Sequence, residues 1–365
     1  MFKDKILLFL ILLFIIGLFY PVKQFLFNGV KDIIEKKEPL YSKGIYITFR
    51  TAGTSRINEL LDLVKHSELN TVVIDIKDCT GRIGFDIEND LINEIGSEQI
   101  WIKDIKGLID KFHKEKIYVI ARIVVFEDNF LPRQKPYLAL KTKDNNLWQD
   151  KRGITWLDPA SKEVWDYNIA LAKEAVNIGF DEINLDYIRF PSDGDISNIV
   201  YPFWDYKTPK KEIIRQFFEY FSQRMKPLGI YLSADLFGLT LTSETDMNIG
   251  QWLEYAAPYF DYICPMVYPS HYPEGYDGFA NPALYPYEVI YKGLTIGIER
   301  LASASSEAKI RPWLQDFDLG AYYDVRMINL EKQAVYDAGA FGWLLWNPGN
   351  IYTEESLHKV DNISQ

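Results

Sequence analysis

The sequence predicts an α/β protein whose main body is a single (β/α)8 barrel of the TIM type. From residue 41 onward, eight short apolar runs alternate with longer segments of helical periodicity. The runs are apolar at nearly every position, as parallel strands are when other elements cover both of their faces. Eight successive strand–helix units are the repeat of a (β/α)8 barrel.

The predicted strands and helices follow in chain order. The first four strands are GIYITF from Gly44, TVVIDIKD from Thr71, IYVIARIVVF from Ile117 and EINLDYIRFP from Glu182. The next four are GIYLSADLFG from Gly229, FDYICPMVYP from Phe260, IRPWLQDF from Ile310 and GAFGWLLWNP from Gly339. Apolar residues recur three and four positions apart, as in amphipathic helices, within residues 56–66, 161–178, 209–225 and 321–338.

An open doubly wound sheet is the main alternative to the barrel. That fold places a glycine-rich phosphate loop after its first strand. The residues after the first predicted strand are RTAGTSR, which contain a single glycine. The chain also lacks a P-loop and a G-x-S-x-G motif, which disfavours an NTPase and an α/β-hydrolase.

Composition excludes several classes of function. The 365 residues include 40 Lys and Arg against 51 Asp and Glu, so the net charge is −11 and nucleic-acid binding is not expected. Two cysteines cannot form a disulfide framework. The four histidines include no pair at metal-ligand spacing, and we expect neither a metal nor another cofactor.

The N-terminus is predicted to be a separate segment. Residues 1–22 contain an apolar run from Ile6 to Tyr20 behind Lys3 and Lys5. This run predicts a transmembrane signal-anchor, or alternatively a cleaved signal peptide. Residues 23–40 would then be a tether, and residues 41–365 the barrel. We expect a single-pass membrane protein with an extracytoplasmic barrel, or a secreted protein if the segment is cleaved.

Polar residues cluster where the predicted strands end, and chemistry in this type of barrel occurs at those ends. Alternation along the strands predicts that six side chains point into the barrel: Asp75, Lys77, Asn184, Asp186, Ser233 and Asp235. Arg122 is expected inside as well. Further candidates at strand ends are Asp78, Asp128, Arg189, Tyr268, His271, Gln315, Asp316, Asp318, Trp343, Trp346 and Asn347.

Two carboxyl groups beside aromatic residues suit the cleavage of glycosidic bonds. One carboxylic acid protonates the leaving oxygen, and a carboxylate attacks or activates water. A neighbouring arginine keeps the second group ionised. For any one aspartate, an internal salt bridge is an equally good explanation, for example Asp75 with Lys77, or Asp186 with Arg122 or Arg189.

Seven stretches resemble the glycosyl-hydrolase barrel domain found in uncharacterised bacterial proteins and grouped with α-amylase-like hydrolases. They are NTVVIDIKD, IYVIARIVVFED, GFDEINLDYIRFPSDG, LSADLFG, IGQWLEYAAPYFDYICPMVYPSHY, RPWLQDF and GWLLWNP, and they span about residues 44 to 350. The resemblance implies a glycosidase that acts on an oligosaccharide or polysaccharide. An acidic, exported and membrane-tethered barrel suits a polysaccharide of the cell envelope or the extracellular space.

The resemblance also implies roles for site residues. By position, Asp186 would be the nucleophile, Asp235 the acid–base group, and Asp316 or Asp318 the stabiliser. The chain departs from the α-amylase-like pattern in having Asp235 where that group has Glu, and Asn184 where it has Arg. The remaining residues are expected to bind substrate: Asp75, Lys77, Asp78, Arg122, Asp128, Arg189, Tyr268, His271, Gln315, Trp346 and Asn347.

The sequence also allows two alternatives. The barrel could be a carbohydrate-binding envelope protein without catalysis, which would need no pair of inward carboxylates. It could also be an enzyme that holds a divalent metal on Asp75, Asp78 and Asp186.

Overall fold

Eight parallel strands form a closed barrel in the computed structural model of the protein, which describes residues 40–358. The strands are β1 (Ser42–Ile47), β2 (Thr71–Lys77), β3 (Tyr118–Val124), β4 (Glu182–Asp186), β5 (Tyr231–Phe237), β6 (Tyr262–Met266), β7 (Trp313–Gln315) and β8 (Gly342–Trp346). The first strand pairs with the last, with Ser42 opposite Gly342 and Ile45 opposite Leu345. The predicted single barrel is therefore confirmed, and the carboxyl ends of all eight strands surround one opening.

Ten α-helices lie among these strands. They are α1 (Phe49–Ala52), α2 (Arg56–His66), α3 (Asp90–Ile95), α4 (Ile105–Lys114), α5 (Leu131–Gln134), α6 (Lys162–Ile178), α7 (Lys210–Met225), α8 (Leu253–Ala256), α9 (Pro286–Ser303) and α10 (Val325–Ala338). All four predicted helical segments are present, and Gly179 ends α6 in a left-handed conformation. The β5–β6 connection departs from the repeat, because α8 is a single turn.

The seventh strand is interrupted. A short strand, Lys309–Ile310, pairs with β6, and Trp313 resumes the pairing with β6 and β8. Pro312 lies in the gap and has no N–H to donate to a neighbouring strand. The guanidinium of Arg311 is buried at the amino-terminal end of the barrel, where it pairs with Glu182 of β4.

Two apolar clusters pack against the barrel strands and stabilise them. The larger lies between the strands and the helices. A smaller cluster fills the interior with Tyr46, Val73, Ile120, Tyr231, Tyr262, Cys264, Tyr268, Trp313 and Leu344. Above this interior cluster, toward the carboxyl ends, the strands contribute charged side chains.

The predicted anchor and most of the predicted tether lie outside residues 40–358. Within those residues, no helix is both long enough and apolar enough to cross a membrane. An antiparallel pair, Lys141–Thr142 with Ile199–Val200, lies outside the barrel sheet and joins the loops after β3 and β4.

Candidate active site

Arg122 is the centre of a charged cluster at the carboxyl end of the barrel. Its Nη1 donates to Oδ1 of Asp75 at 2.5 Å, and its Nη2 donates to Oδ2 of Asp186. Its Nε lies 3.7 Å from Oδ2 of Asp235. The three carboxyl groups belong to β2, β4 and β5, so residues far apart in the chain meet on one guanidinium, as alternation along the strands predicts.

Asp235 is almost completely buried, with 1% of its surface exposed. Its Oδ1 accepts two hydrogen bonds of 2.8 Å, one from Nδ2 of Asn184 and one from Nε1 of Trp313. Burial, and then the nearby charge of Asp186, raise the pKa of Asp235 well above its usual value. Since neither donor can accept a hydrogen bond, a proton on this carboxyl group belongs on Oδ2.

Asp186 ends β4, and both of its oxygens accept hydrogen bonds. Oδ2 accepts from Arg122, and Oδ1 accepts from the backbone N–H of Tyr187 at 2.6 Å. Tyr187 has a φ of 52°, in the left-handed region that an aromatic residue rarely occupies. This uncommon conformation turns the chain directly after β4, next to the carboxylate it bonds.

Asp75 lies beneath the opening. Besides Arg122, it accepts a hydrogen bond from the hydroxyl group of Tyr46, and burial raises its pKa to about 6. The ring of Tyr46 stacks on Trp346 with ring centroids 3.8 Å apart. The guanidinium of Arg122 lies 5.0 Å from the centre of the Trp346 ring. Asp75 thus holds Arg122 from below while Tyr46 and Trp346 pack beside it.

A cavity of about 480 Å³ opens above this cluster. Seven residues predicted for the site line it: Arg122, Asp186, Arg189, Asp235, Tyr268, His271 and Trp346. Burial lowers the pKa of His271, whose Nδ1 lies 3.0 Å from the hydroxyl oxygen of Ser270. The remaining lining residues are Arg152, Tyr187, Ser192, Asp193, Phe237, Gly238, Leu239, Met266, Tyr272, Trp313 and Pro348.

The prediction that Lys77 points into the barrel is wrong. An irregularity between Asp75 and Lys77 shifts the register, so that Lys77 aligns with Ile123 rather than with an inward residue. Because side chains alternate along a strand, a one-residue slip turns Lys77 outward. Its amino group pairs with Asp128 at 2.9 Å and lies over the ring of Tyr167 on α6.

Other predicted binding residues support loops around the opening rather than lining the cavity. Asp128 accepts backbone N–H groups of Phe130 and Leu131, and Asp78 pairs with Arg50. Gln315 accepts from the hydroxyl group of Ser270. Asn347 donates to the backbone oxygen of Asp316.

Neither candidate stabiliser on the seventh strand lines the cavity. Both oxygens of Asp316 face Thr353, which donates its N–H at 2.9 Å and its hydroxyl group at 2.8 Å. Asp318 accepts the N–H of Tyr323. Trp343, expected near a ligand, is instead fully buried, and its Nε1 donates to Tyr336 on α10. Odd and even positions of β8 face opposite sides, so only Trp346 reaches the opening.

Several residues of the site were not predicted. Tyr46 lies in the apolar run of β1, yet its hydroxyl group donates to Asp75. Trp313 was expected at the end of the seventh strand, but its role as the hydrogen-bond donor to Asp235 was not predicted. Inward alternation within β1 and β7 was the signal that could have found them. Arg152 comes from a loop, whose course no periodicity reveals. Tyr187 was predicted inside the fourth strand, which instead ends at Asp186.

The cluster does not resemble a metal site. Asp75 and Asp186 are occupied by Arg122, and Asp78 pairs with Arg50. Among residues 40–358, no group of three or more His, Cys, Asp or Glu side chains is arranged to hold a metal ion. The three aspartates considered for a metal are therefore not brought together as ligands.

Comparison with protein families gives one match that covers most of the chain. Residues 44–352 match the family described as "Putative glycosyl hydrolase domain". A comparison with curated proteins finds no match.

Solved structures with a similar fold include glycoside hydrolases. The glycoside hydrolase domain of PgaB (BpsB) from Bordetella bronchiseptica superimposes with a TM-score of 0.63 at 11% identity, over 90% of this chain and 100% of that one. The α-galactosidase TtGalA from Thermus thermophilus gives a TM-score of 0.53 at 11% identity, over 88% of this chain and 61% of that one. These two likenesses show the fold.

A crystal structure of a hypothetical protein from Ruminiclostridium thermocellum ATCC 27405 shares 38% identity. The match covers 52% of this chain and 96% of that one, with a TM-score of 0.48.

Proposed function

Since the chain belongs to this glycosyl hydrolase family, we propose that it cleaves the glycosidic bonds of a polysaccharide, with Asp235 as the general acid and Asp186 as the second carboxylate. The two residues extend from neighbouring strands into one cavity, and both lie against Arg122. Glycoside hydrolysis requires two carboxyl groups with different protonation states on either side of the scissile bond.

The single observation that carries the proposal is the environment of Asp235. Burial raises its pKa, so the group retains a proton at a pH where an ordinary aspartate has lost it. Asn184 and Trp313 occupy Oδ1, which leaves the proton on Oδ2. A protonated oxygen held in one orientation within a cavity is what an acid needs to protonate a leaving oxygen.

The environment of Asp186 favours a carboxylate, whereas that of Asp235 favours the protonated acid. Its two hydrogen bonds come from the guanidinium of Arg122 and the N–H of Tyr187, which donate and do not accept. As a carboxylate, Asp186 either attacks the anomeric carbon or activates a water molecule, and the anomeric configuration of the product distinguishes these routes. The rings of Tyr187, Tyr268 and Trp346 offer apolar surface to the sugar.

The location and substrate remain proposals based on the sequence. Residues 1–22 would anchor the protein in the membrane with the barrel outside the cytoplasm, and the substrate would be a cell-envelope or extracellular polysaccharide. Protease added to intact cells should digest the barrel if this orientation is right. A barrel that is protected until the cells are lysed contradicts the proposed location.

The activity is tested with the full chain on purified envelope and extracellular polysaccharides. We expect shorter products to appear, and we expect D186N and D235N each to lower the rate at least about a hundredfold while the protein stays folded. D318N is the matched control, because Asp318 lies outside the cavity and, within the described residues, accepts a hydrogen bond from the Tyr323 N–H alone. Binding of a polysaccharide without any product after long incubation would instead support the carbohydrate-binding alternative.

A further inference from the structure

Arg189 is a buried cation without a carboxylate partner at salt-bridge distance in the described part of the chain. Only 6% of its surface is exposed. Its guanidinium packs against the rings of Trp156, Tyr187 and Phe237, with 4.7 to 5.2 Å between the guanidinium carbon and the ring centres. Its one hydrogen bond to residues 40–358 runs from Nη1 to the backbone oxygen of Phe190 at 3.0 Å.

The other arginines in the cavity differ from Arg189. Arg122 lies on three carboxyl groups, and Arg152 pairs with Glu127 and Asp150. Burying an ion that is not paired is costly, and three aromatic rings offset only part of that cost. A neutral hydroxyl group can accept a hydrogen bond from Arg189 but cannot balance its charge. An anion entering the cavity does both.

The neighbouring charges leave room for such an anion. The carboxylates that act on Arg189 through space are Glu127, Asp186 and Asp193. Glu127 is bonded to Arg152, and Asp186 to Arg122. Asp193 accepts the backbone N–H of Lys151. Each of these carboxylates already has a donor, whereas four of the five N–H groups of Arg189 have no acceptor among residues 40–358.

We propose that Arg189 binds an anionic substituent of the glycan, either a carboxylate or a phosphate, and makes the enzyme specific for acidic polysaccharides. A planar guanidinium matches both groups by donating two parallel hydrogen bonds. Arg189 lies three residues after Asp186, so the charged substituent would be bound close to the sugar whose bond is cleaved. This assignment rests on the proposed glycoside hydrolase function and names its substrate class.

The test measures binding separately from hydrolysis. The full chain carrying D235N, which keeps the cavity, is titrated with sugars that differ from a neutral parent by one anionic group. Glucuronic acid and glucose 6-phosphate are each compared with glucose, and N-acetylmuramic acid with N-acetylglucosamine. We expect at least one acidic sugar to bind about tenfold more tightly than its parent, and the favoured member identifies the anion as carboxylate or phosphate.

Variants assign the preference to Arg189. R189Q should abolish this preference, so that the acidic sugar and its neutral parent bind with equal affinity, and R189K should restore part of the preference through its charge. R224Q is the matched control, because Arg224 also stacks on an aromatic ring, that of Tyr220, and donates to a backbone oxygen, but lies on α7 outside the cavity. R224Q should show the same preference for acidic over neutral sugars as the protein that carries D235N alone.

The proposal is overturned if no acidic sugar binds more tightly than its parent, or if R189Q keeps the preference. Thermal unfolding of each variant shows whether it is folded, and if R189Q does not fold, the comparison of sugars on the parent and on R189K decides. A protein that prefers acidic sugars but hydrolyses no polysaccharide would contradict the proposed enzyme activity and leave the anion site intact.

Discussion

Trp313 Nε1 donates a 2.8 Å hydrogen bond to Oδ1 of Asp235, from β7 across the barrel interior to β5. The indole N–H can only donate, so the bond stabilises the ionised form of Asp235 and opposes the effect of burial on its pKa. The same bond fixes which oxygen carries the proton. Trp313 therefore influences both the pKa of Asp235 and the oxygen from which Asp235 donates its proton.

Replacing Trp313 with Phe keeps a ring in the barrel and removes the donor. The pKa of Asp235 should rise further, which would move the alkaline limb of the kcat/KM profile to higher pH. W165F is the control, because Trp165 Nε1 donates to the backbone oxygen of Pro159 in the helix layer. If the two variants give the same profile as the parent, the hydrogen bond does not tune the acid.

The acid role of Asp235 predicts a dependence on the leaving group. A strongly acidic phenol leaves an aryl glycoside without being protonated, so D235N should cleave this substrate with only a small loss of kcat/KM, which reports the step in which the phenol departs. On a glycoside with an alkyl leaving group, the same variant should lose at least about a hundredfold. D186N should be impaired on both substrates. Equal losses for D235N on the two substrates would exclude it as the acid.

Asp316 is expected to stabilise the protein rather than the transition state. D316N would weaken the bonds to Thr353 and lower the free energy of unfolding by about 1 kcal/mol, with kcat changed less than threefold. T353V removes the hydroxyl donor of the same contact and is the matched comparison. A loss of kcat by orders of magnitude in D316N, without a similar effect in T353V, would restore Asp316 as a catalytic stabiliser.

The sequence was sufficient for the barrel and for the convergence of Arg122 with Asp186 and Asp235, because strand alternation and parallel pairing together determine which side chains share the opening. It was insufficient for Lys77, since a one-residue irregularity in β2 reverses the side on which that residue lies.

Asp316 follows β7 in a loop, where alternation no longer applies, and the partner that turns it away lies on another loop at Thr353. The hydrogen bonds that Tyr46 and Trp313 donate could not be predicted, because their large apolar rings fit the pattern of buried strands equally well. Their polar atoms acquire a role only when β1 lies beside β2, and when β5 and β7 flank β6.

The raised pKa of Asp75, about 6, predicts the acid limb of the pH profile. Below this pH, Asp75 becomes protonated and Arg122 loses one of its anionic partners, so kcat/KM should fall. Y46F removes a hydrogen bond that favours the ionised form, and should move the limb to higher pH. Y352F is the control, since the Tyr352 hydroxyl group donates to the backbone oxygen of Tyr46 and leaves Asp75 bonded. If the acid limb of Y46F does not shift, the titration of Asp75 does not cause that limb.

The raised pKa of Glu127 predicts that the stability of the protein depends on pH. Burial raises its pKa from 4.5 to about 8, although Arg152, whose side chain is 54% exposed, pairs with it. Between these pH values the folded protein binds a proton that the unfolded chain has released, so the free energy of unfolding should decrease as the pH rises from about 5 to about 8. Glutamine at position 127 does not titrate. The difference in the free energy of unfolding between the parent and E127Q should therefore change by about 1 to 3 kcal/mol across this pH range.

E163Q is the control for this prediction. Glu163 is 43% exposed and pairs with Lys135, and the hydrogen bonds from Tyr137 and Lys135 outweigh burial to lower its pKa. Its contribution to stability is therefore complete above the pKa of the unfolded chain, so the difference between the parent and E163Q should stay constant from pH 5 to 8. Urea unfolding at several pH values measures both differences. The difference in the free energy of unfolding between the parent and E127Q could also stay constant. Glu127 would then be ionised in the folded protein throughout this pH range, because its pairing with Arg152 outweighs the cost of burial.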